Sequence, residues 1–308
     1  MVFVVGVAAA MLLGLGYVLQ QRVAATAELA NLLSFRLLAG LMRRPAWWAG
    51  IGAMIVGEVL AGLALRLASV ALVEPLLSTS LLFALGFANL LSRRRMCWQE
   101  IAGTVLLSAA LGVFIAVARP RSTAAPEPSL GVLVLAVGSV VGVVAVLVAV
   151  GRRRGLVAES VLLALGAGLL LGLQDAGTRA ALTAADRHGA AAVLYSPWLY
   201  VVVGAAVLSL LLSQSAFKAA RLDASLPPIA AAEPLAGILL GVTLLGDVMS
   251  VSVAGLAVEA ICVVAMVGGV VLIGRSPSLA GHHLPGVAER YDLLAATRAE
   301  QAAARRAA

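Results

Sequence analysis

Charge, cysteine and histidine are all scarce in this chain. Of its 308 residues only 12% are charged, and it has 2 cysteines and 3 histidines. So little charge excludes an ordinary soluble domain. Cys97 and Cys262 provide neither a disulfide framework nor a cysteine metal site. His282 and His283 are adjacent, and two neighbouring side chains in a polar tail do not fix a metal coordination geometry.

Catalytic and nucleotide-binding motifs are also missing. The sequence has no Ser/His pair in a recognisable arrangement, no metal-ligand spacing and no glycine loop that could hold a phosphate. We therefore expect that the chain is not an enzyme, needs no cofactor, and could be an ATP-driven pump only with another subunit.

Long apolar segments dominate instead. Hydrophobic residues make up 62% of the chain, and the mean hydropathy is +1.05. A hydrocarbon core of about 30 Å is crossed by about 20 helical residues. The sequence therefore predicts an all-α polytopic membrane protein with about nine transmembrane helices. These lie near residues 2–20, 46–66, 69–91, 98–118, 129–150, 156–175, 193–213, 226–246 and 250–273.

Most basic residues lie in the connections on one side of the predicted membrane spans, so they do not indicate a nucleic-acid surface. If the N-terminus is outside, 17 of the 22 fall on the cytoplasmic side, as in Arg93–Arg95 and Arg152–Arg154. The positive-inside rule then predicts a multi-pass plasma-membrane protein with the N-terminus outside and the C-terminus cytoplasmic. The expected partners are the lipid bilayer and a small-molecule or cation substrate, with no nucleic acid; a homodimer is left open.

Several segments are predicted to lie at the membrane surfaces. Residues 27–43 are too short and polar for a crossing, and they predict an amphipathic cytoplasmic helix. Indole and phenol side chains favour the headgroup region. The predicted anchors are Trp47, Trp48 and Trp98 on the cytoplasmic side and Tyr195, Trp198 and Tyr200 on the outer side.

One acidic dipeptide occurs twice within apolar runs, as Glu74-Pro75 and as Glu233-Pro234. An ionised carboxylate in hydrocarbon costs roughly 2.5 to 3.5 kcal/mol on insertion scales. Proline adds to this cost because it frees an upstream carbonyl. We expect the two steps to line a polar pathway; the alternative is that each glutamate is neutral and bonds a neighbouring helix.

Other polar residues in the apolar segments are candidates for the same pathway. Each has a structural alternative, as an acid bonded to a neighbouring helix, an interface anchor or a helix end. These candidates are Glu58 in the second segment, Tyr17 and Gln20 in the first, Gln174 and Asp175 in the sixth, and Glu259 in the ninth.

Three alignments indicate an internal duplication. Leu12–Gly14 matches Leu170–Gly172, the two Glu-Pro steps match, and Gly112–Arg119 matches Gly268–Arg275. Matching segments run in opposite directions in the predicted topology, as in transporters with inverted repeats. The predicted divisions are a first transmembrane repeat at 1–118, a linker at 119–128, a second repeat at 129–275 and a cytoplasmic tail at 276–308.

The motifs resemble those of the drug/metabolite transporter superfamily. They are Gly16–Arg22, Arg44–Gly50, Leu72–Leu76 and Ala220–Leu226 with Glu233-Pro234. The Trp-Trp-Ala-Gly entry is similar to the NIPA-type magnesium transporter branch. The resemblance implies inverted repeats, a central cavity and alternating-access transport of small solutes or cations. Transport of Mg²⁺ or another divalent cation, proton-coupled export of an organic solute, and a membrane scaffold without transport remain open.

Overall fold

The computed structural model describes residues 2–27, 32–67, 73, 76–77, 79–92, 97–118, 129–189, 191–246 and 253–275. Every regular element within these ranges is an α-helix. The helices are α1 (Val2–Ala25), α2 (Phe35–Met42), α3 (Pro45–Leu67), α4 (Ser80–Leu91), α5 (Trp98–Ala118), α6 (Leu130–Gly151), α7 (Leu156–His188), α8 (Ala192–Tyr195), α9 (Pro197–Ala219), α10 (Leu222–Leu244) and α11 (Val253–Gly274).

Eight of these helices are long and apolar enough to cross a membrane, so the prediction of an all-α polytopic membrane protein is confirmed. They are α1, α3, α5, α6, α7, α9, α10 and α11. The remaining predicted segment, 69–91, is described only in part, and α4 is its longest described helix. Glu74 and Pro75 lie outside the described residues, as do the linker 119–128 and the tail 276–308.

Several predicted helix boundaries are wrong, among them one in α7 and one in α10. The segment expected to end at residue 175 continues as α7 to His188, and its 33 residues span about 50 Å, more than a bilayer core needs. The segment expected from residue 226 begins at Leu222, so only Ala220 and Arg221 separate α9 from α10. Asp223 lies in the first turn of α10, where a carboxylate interacts favourably with the helix dipole.

The predicted surface helix is shorter than 27–43. It is α2, which begins after Ser34, whose hydroxyl accepts a hydrogen bond from the Arg36 N–H at 3.2 Å. Leu37 and Leu41 on its inner face pack against Trp47. Trp47 is therefore only 3% exposed, and its assignment as a headgroup anchor is wrong.

The predicted outer aromatic belt is also only partly correct. Tyr195 and Tyr200 are exposed, as expected of belt residues, but Trp198 is only 2% exposed. Trp198 lies in the first turn of α9 and packs with alanines of α7 such as Ala180. At the other membrane side Trp48 and Trp98 are exposed, as predicted.

The first set of helices is α1, α3 and α4, held together by close contacts at glycines. A Cβ atom on Gly16 of α1 would lie 2.9 Å from the carbonyl oxygen of Gly50 on α3, and Leu13 lies against Gly57 further along α3, so α1 and α3 are antiparallel. Gly14 packs against Ser80 of α4. Small residues permit such approaches where no hydrophobic effect drives helices together.

The second set, α7, α9 and α10, has the same arrangement. Gly166 and Gly177 of α7 approach α9 antiparallel, while Gly168 and Gly172 approach α10 in parallel. The last turn of α1 bonds to the end of α9 through Gln21, so α1 and α9 end together and α7 runs opposite to α1. The two sets therefore run in reversed directions, which supports the predicted inverted duplication.

The other two long helices complete the bundle. α5 and α11 cross antiparallel where Gly103 and Gly269 meet; a Cβ on Gly269 would lie 2.7 Å from the Gly103 carbonyl. α6 packs antiparallel along α7 and is otherwise largely exposed. One end of the bundle, where α1, α6, α9 and α11 end, is called the basic end. The basic residues described there are Arg22, Arg36, Arg43, Arg44, Arg152, Arg153, Arg154, Lys218, Arg221 and Arg275.

Candidate functional site

Three acidic side chains from separate helices lie within electrostatic range of one tyrosine. Tyr17 of α1 interacts electrostatically with Glu58 of α3, Asp175 of α7 and Glu233 of α10. Its ring contacts Phe217 of α9 edge-on, with 6.5 Å between ring centroids. Glu58, Asp175 and Glu233 with Tyr17 are called the acidic cluster below. All four residues were singled out from the sequence, and the structure brings them together.

Two of the acidic side chains are exposed. Glu58 and Asp175 interact with each other although both are exposed. In the described residues α3 and α7 make no extended contact with each other. Glu58 and Asp175 are thus close enough to interact although their two helices do not pack along each other. Their mutual repulsion makes it favourable for a cation or a proton to enter between them.

The position of Glu233 is fixed by two glycines of α7. Cβ atoms on Gly168 and Gly172 would lie 3.1 Å from the Glu233 N and 2.5 Å from its carbonyl oxygen. Next in the chain, Pro234 lies inside α10 and cannot donate a hydrogen bond to the carbonyl of Ala230. Close to Glu233, α10 therefore also has a main-chain carbonyl, that of Ala230, which lacks its usual helical hydrogen-bond donor.

A buried pair of side-chain amides lies next to the acidic cluster. Gln20 lies one turn after Tyr17 and accepts a short hydrogen bond from the Gln214 amide of α9. The Gln20 amide donates to the Met54 sulfur of α3 at 2.8 Å. Both glutamines are buried. Gln20 is a candidate from the sequence, whereas little in the sequence distinguishes Gln214.

The remaining predicted site residues are not part of this cluster or cannot be assigned to it. Gln174 is half-buried beside Asp175, and its main-chain carbonyl accepts a hydrogen bond from Thr178 at 2.8 Å. Glu259 is buried on α11, which packs chiefly against α5, one turn before Cys262. Glu74 and Pro75 lie outside the described residues.

A second group of charged residues at the basic end was missed from the sequence. Asp223 forms an ion pair with Arg221 at 3.0 Å and interacts with Glu100 of α5. Asp223 and Glu100 are 4% and 1% exposed, and Lys218 is also buried. No pattern within a single segment singles out these residues, because their burial depends on contacts between helices.

Within the described ranges, no three His, Cys, Asp or Glu side chains lie close enough together to hold a metal ion. The members of the acidic cluster thus interact electrostatically, but in the described residues they do not form a set of metal ligands.

The chain was compared with known proteins. No family model matches it, and no solved structure does. An uncharacterized protein of Corynebacterium glutamicum is 31% identical over 250 residues, which cover 78% of this chain and 83% of that relative. The chain belongs to the family of this protein. The name of this relative states no activity, so a function for the chain must be argued from its own residues.

Proposed function

We propose that this chain is a secondary transporter of the drug/metabolite transporter superfamily whose substrate passes the acidic cluster. The observation that carries the proposal is the convergence of Glu58, Asp175 and Glu233 on Tyr17. Each carboxylate within a membrane span is costly, and such residues usually mark substrate, ion or proton pathways. Glu58 and Asp175 are also exposed, so the cluster is reachable.

Both reversed sets of helices contribute to the cluster. Tyr17 and Glu58 belong to the first set, and Asp175 and Glu233 belong to the second. If the sets rock against each other, the same side chains face first one side of the membrane and then the other, which is alternating access. Pro227, Pro228 and Pro234 give α10 positions at which it can bend.

The substrate class that fits this cluster is a small solute or cation. A group of carboxylates attracts positive charge and can exchange a bound proton for a substrate cation, which would couple transport to a proton gradient. The resemblance to NIPA-type proteins makes Mg²⁺ the alternative, and a scaffold without transport is the alternative from another class.

The orientation in the membrane is part of the proposal. By the positive-inside rule the basic end is cytoplasmic, which places the N-terminus outside and the C-terminus inside a plasma membrane. The described residues support this assignment because the clusters Arg43–Arg44 and Arg152–Arg154 lie at that end, while Arg179 and Arg187 lie toward the other.

The decisive experiment is solute flux into proteoliposomes, with and without a pH gradient. The panel contains Mg²⁺, organic cations and neutral metabolites. We expect the wild type to move one class, and Glu58→Gln, Asp175→Asn and Glu233→Gln each to reduce that flux at least tenfold, about 1.4 kcal/mol. Asp186→Asn is the matched control, because Asp186 is an exposed acid further along α7.

The outcomes separate the alternatives. Proton-driven flux of an organic solute favours the exporter, while Mg²⁺ flux insensitive to pH favours the divalent-cation transporter. A wild type that moves no solute in the panel, or three neutralised variants with full flux, would contradict a transport role for the cluster and leave the scaffold as the better account.

A further inference from the structure

Two contacts between α1 and α9 join the reversed sets next to the acidic cluster. Tyr17 and Gln20 are three residues apart on one face of α1, and Phe217 and Gln214 are three apart on one face of α9. Tyr17 meets Phe217, and Gln20 meets Gln214. α1 and α9 are therefore joined by two adjacent contacts, one aromatic and one between paired amides.

Further hydrogen bonds join the sets at the same level. The Gln21 amide donates to the carbonyl oxygen of Phe217 at 3.5 Å, and the Leu33 N–H donates to the Ser215 hydroxyl at 3.2 Å. Both contacts lie between the amide pair and the basic end. The segment after α1 is thus attached to the last two turns of α9.

Among the described residues, those of α9 and α10 between the amide pair and the basic end are buried. Residues 214–219 of α9 are all buried, and so are residues 222–229 of α10. A helix buried on every side is enclosed by neighbouring helices. On the other side of the amide pair, Glu58 and Asp175 are exposed. The acidic cluster is therefore exposed on the side away from the basic end, whereas the described residues of α9 and α10 toward the basic end are buried.

We propose that the Gln20–Gln214 pair is the cytoplasmic gate of the transport path, closed in this structure and broken when the site opens to the cytoplasm. The inference rests on the proposed transport function and its orientation. The pair fits a gate because it crosses between the two sets that must move, whereas the contacts of Gly16 with Gly50 and of Gly172 with Glu233 lie within a set.

The amide pair is poised to separate. The Gln214 side-chain oxygen is buried and has no hydrogen-bond partner among the described residues. The Gln20 amide donates to a thioether sulfur, which is a weak acceptor. Neither glutamine has its full complement of good partners in the closed form. A buried amide in that condition gains partners when water or substrate reaches it.

The first test links the pair covalently. Gln20→Cys and Gln214→Cys are combined in a chain carrying Cys97→Ser and Cys262→Ala, and a short bis-methanethiosulfonate reagent joins the two thiols. We expect flux to fall at least tenfold and to return when the link is reduced. The control pair is Ser160→Cys with Ala216→Cys, which joins α7 to α9 within one set, where Ser160 donates to the Ala216 carbonyl at 2.9 Å. The control link leaves flux intact.

A second readout does not depend on flux. In inside-out vesicles, a membrane-impermeant maleimide is expected to label Gln214→Cys at least tenfold more slowly than Arg153→Cys, which is exposed at the same end, yet to reach completion. Labelling as fast as at Arg153→Cys, no labelling at all, or full flux through the linked pair each overturns the gate. A wild type without flux overturns the proposed function instead, while the labelling still decides whether this end opens.

Discussion

Gly172 of α7 lies against the main chain of Glu233 on α10, so closely that a Cβ atom on the glycine would be 2.5 Å from the glutamate carbonyl oxygen. The same Cβ would be 2.6 Å from the Ala236 Cβ and from the Gly237 N. No flexible side chain stands in between. Any residue larger than glycine at this position must push α10 away from α7 and move Glu233 within the acidic cluster.

Gly172→Val is therefore expected to destabilise the protein by about 2 kcal/mol, within the range for an overpacked core. It should also reduce flux more than its loss of stability explains, because Glu233 is displaced. Thermal unfolding in detergent and flux in proteoliposomes measure the two effects. Gly142→Val on α6 is the control, since nothing lies within 4 Å of a Cβ there. Equal unfolding midpoints for the two variants would contradict the close approach.

Tyr17→Phe tests the hydroxyl separately from the ring. The phenylalanine ring keeps the edge contact with Phe217, so stability should be unchanged. Removal of the hydroxyl from among three carboxylates is expected to reduce flux roughly tenfold, about 1.4 kcal/mol. Tyr200→Phe on α9 is the matched control, because Tyr200 is exposed and should tolerate the change. Wild-type flux in Tyr17→Phe would restrict Tyr17 to a packing role.

Two tryptophans that look alike in the sequence should respond differently to truncation. Trp47→Ala removes a ring packed among Leu37, Leu41 and Trp48, and we expect it to cost about 3 kcal/mol of unfolding free energy. Trp98→Ala removes a side chain that is 76% exposed and should change stability little. Unfolding midpoints of the two purified variants provide the comparison, and a larger loss for Trp98→Ala would contradict the packing of α2 on α3.

Arg221→Ala leaves the buried carboxylate of Asp223 without its ion-pair partner. Because Arg221 is partly exposed, the expected loss is roughly 2 to 3 kcal/mol, at or below the lower end for a broken buried pair. The double variant Arg221→Ala/Asp223→Asn should regain most of that stability, since the stranded charge is removed. If the double variant is no more stable than the single one, Asp223 is stabilised chiefly by other neighbours.

Sequence patterns could identify the members of the acidic cluster but not their convergence. Glu58, Asp175 and Glu233 stand out one by one because each is an acid in or at the end of an apolar run. Tyr17, with which all three interact, lies on a fourth helix. No sequence pattern within one segment predicts that these four residues lie close together. The contacts are set by where glycines let the helices approach, which depends on both partners.

The wrong boundaries have a simple physical origin. Residues 176–188 contain arginines and an aspartate, so hydropathy ends the membrane span near 175. They are also rich in alanine, the best helix former, so α7 continues to His188. Trp47 and Trp198 were misassigned because a helix end near the headgroups has both an outer and an inner face. Which face a tryptophan occupies is decided by packing against α2 or α7.

Among the eight long helices, α6 alone belongs to neither of the reversed sets nor to the α5 and α11 pair. A half that crosses the bilayer an even number of times returns the chain to its starting side, so two such halves joined directly would insert in the same orientation. One additional crossing between them, made by Leu130–Gly151, turns the second half over. If 69–91 also crosses the membrane, as its sequence predicts, the role of this helix is architectural: with it, a single chain holds two opposed halves that would otherwise have to be made as separate polypeptides inserted in opposite senses.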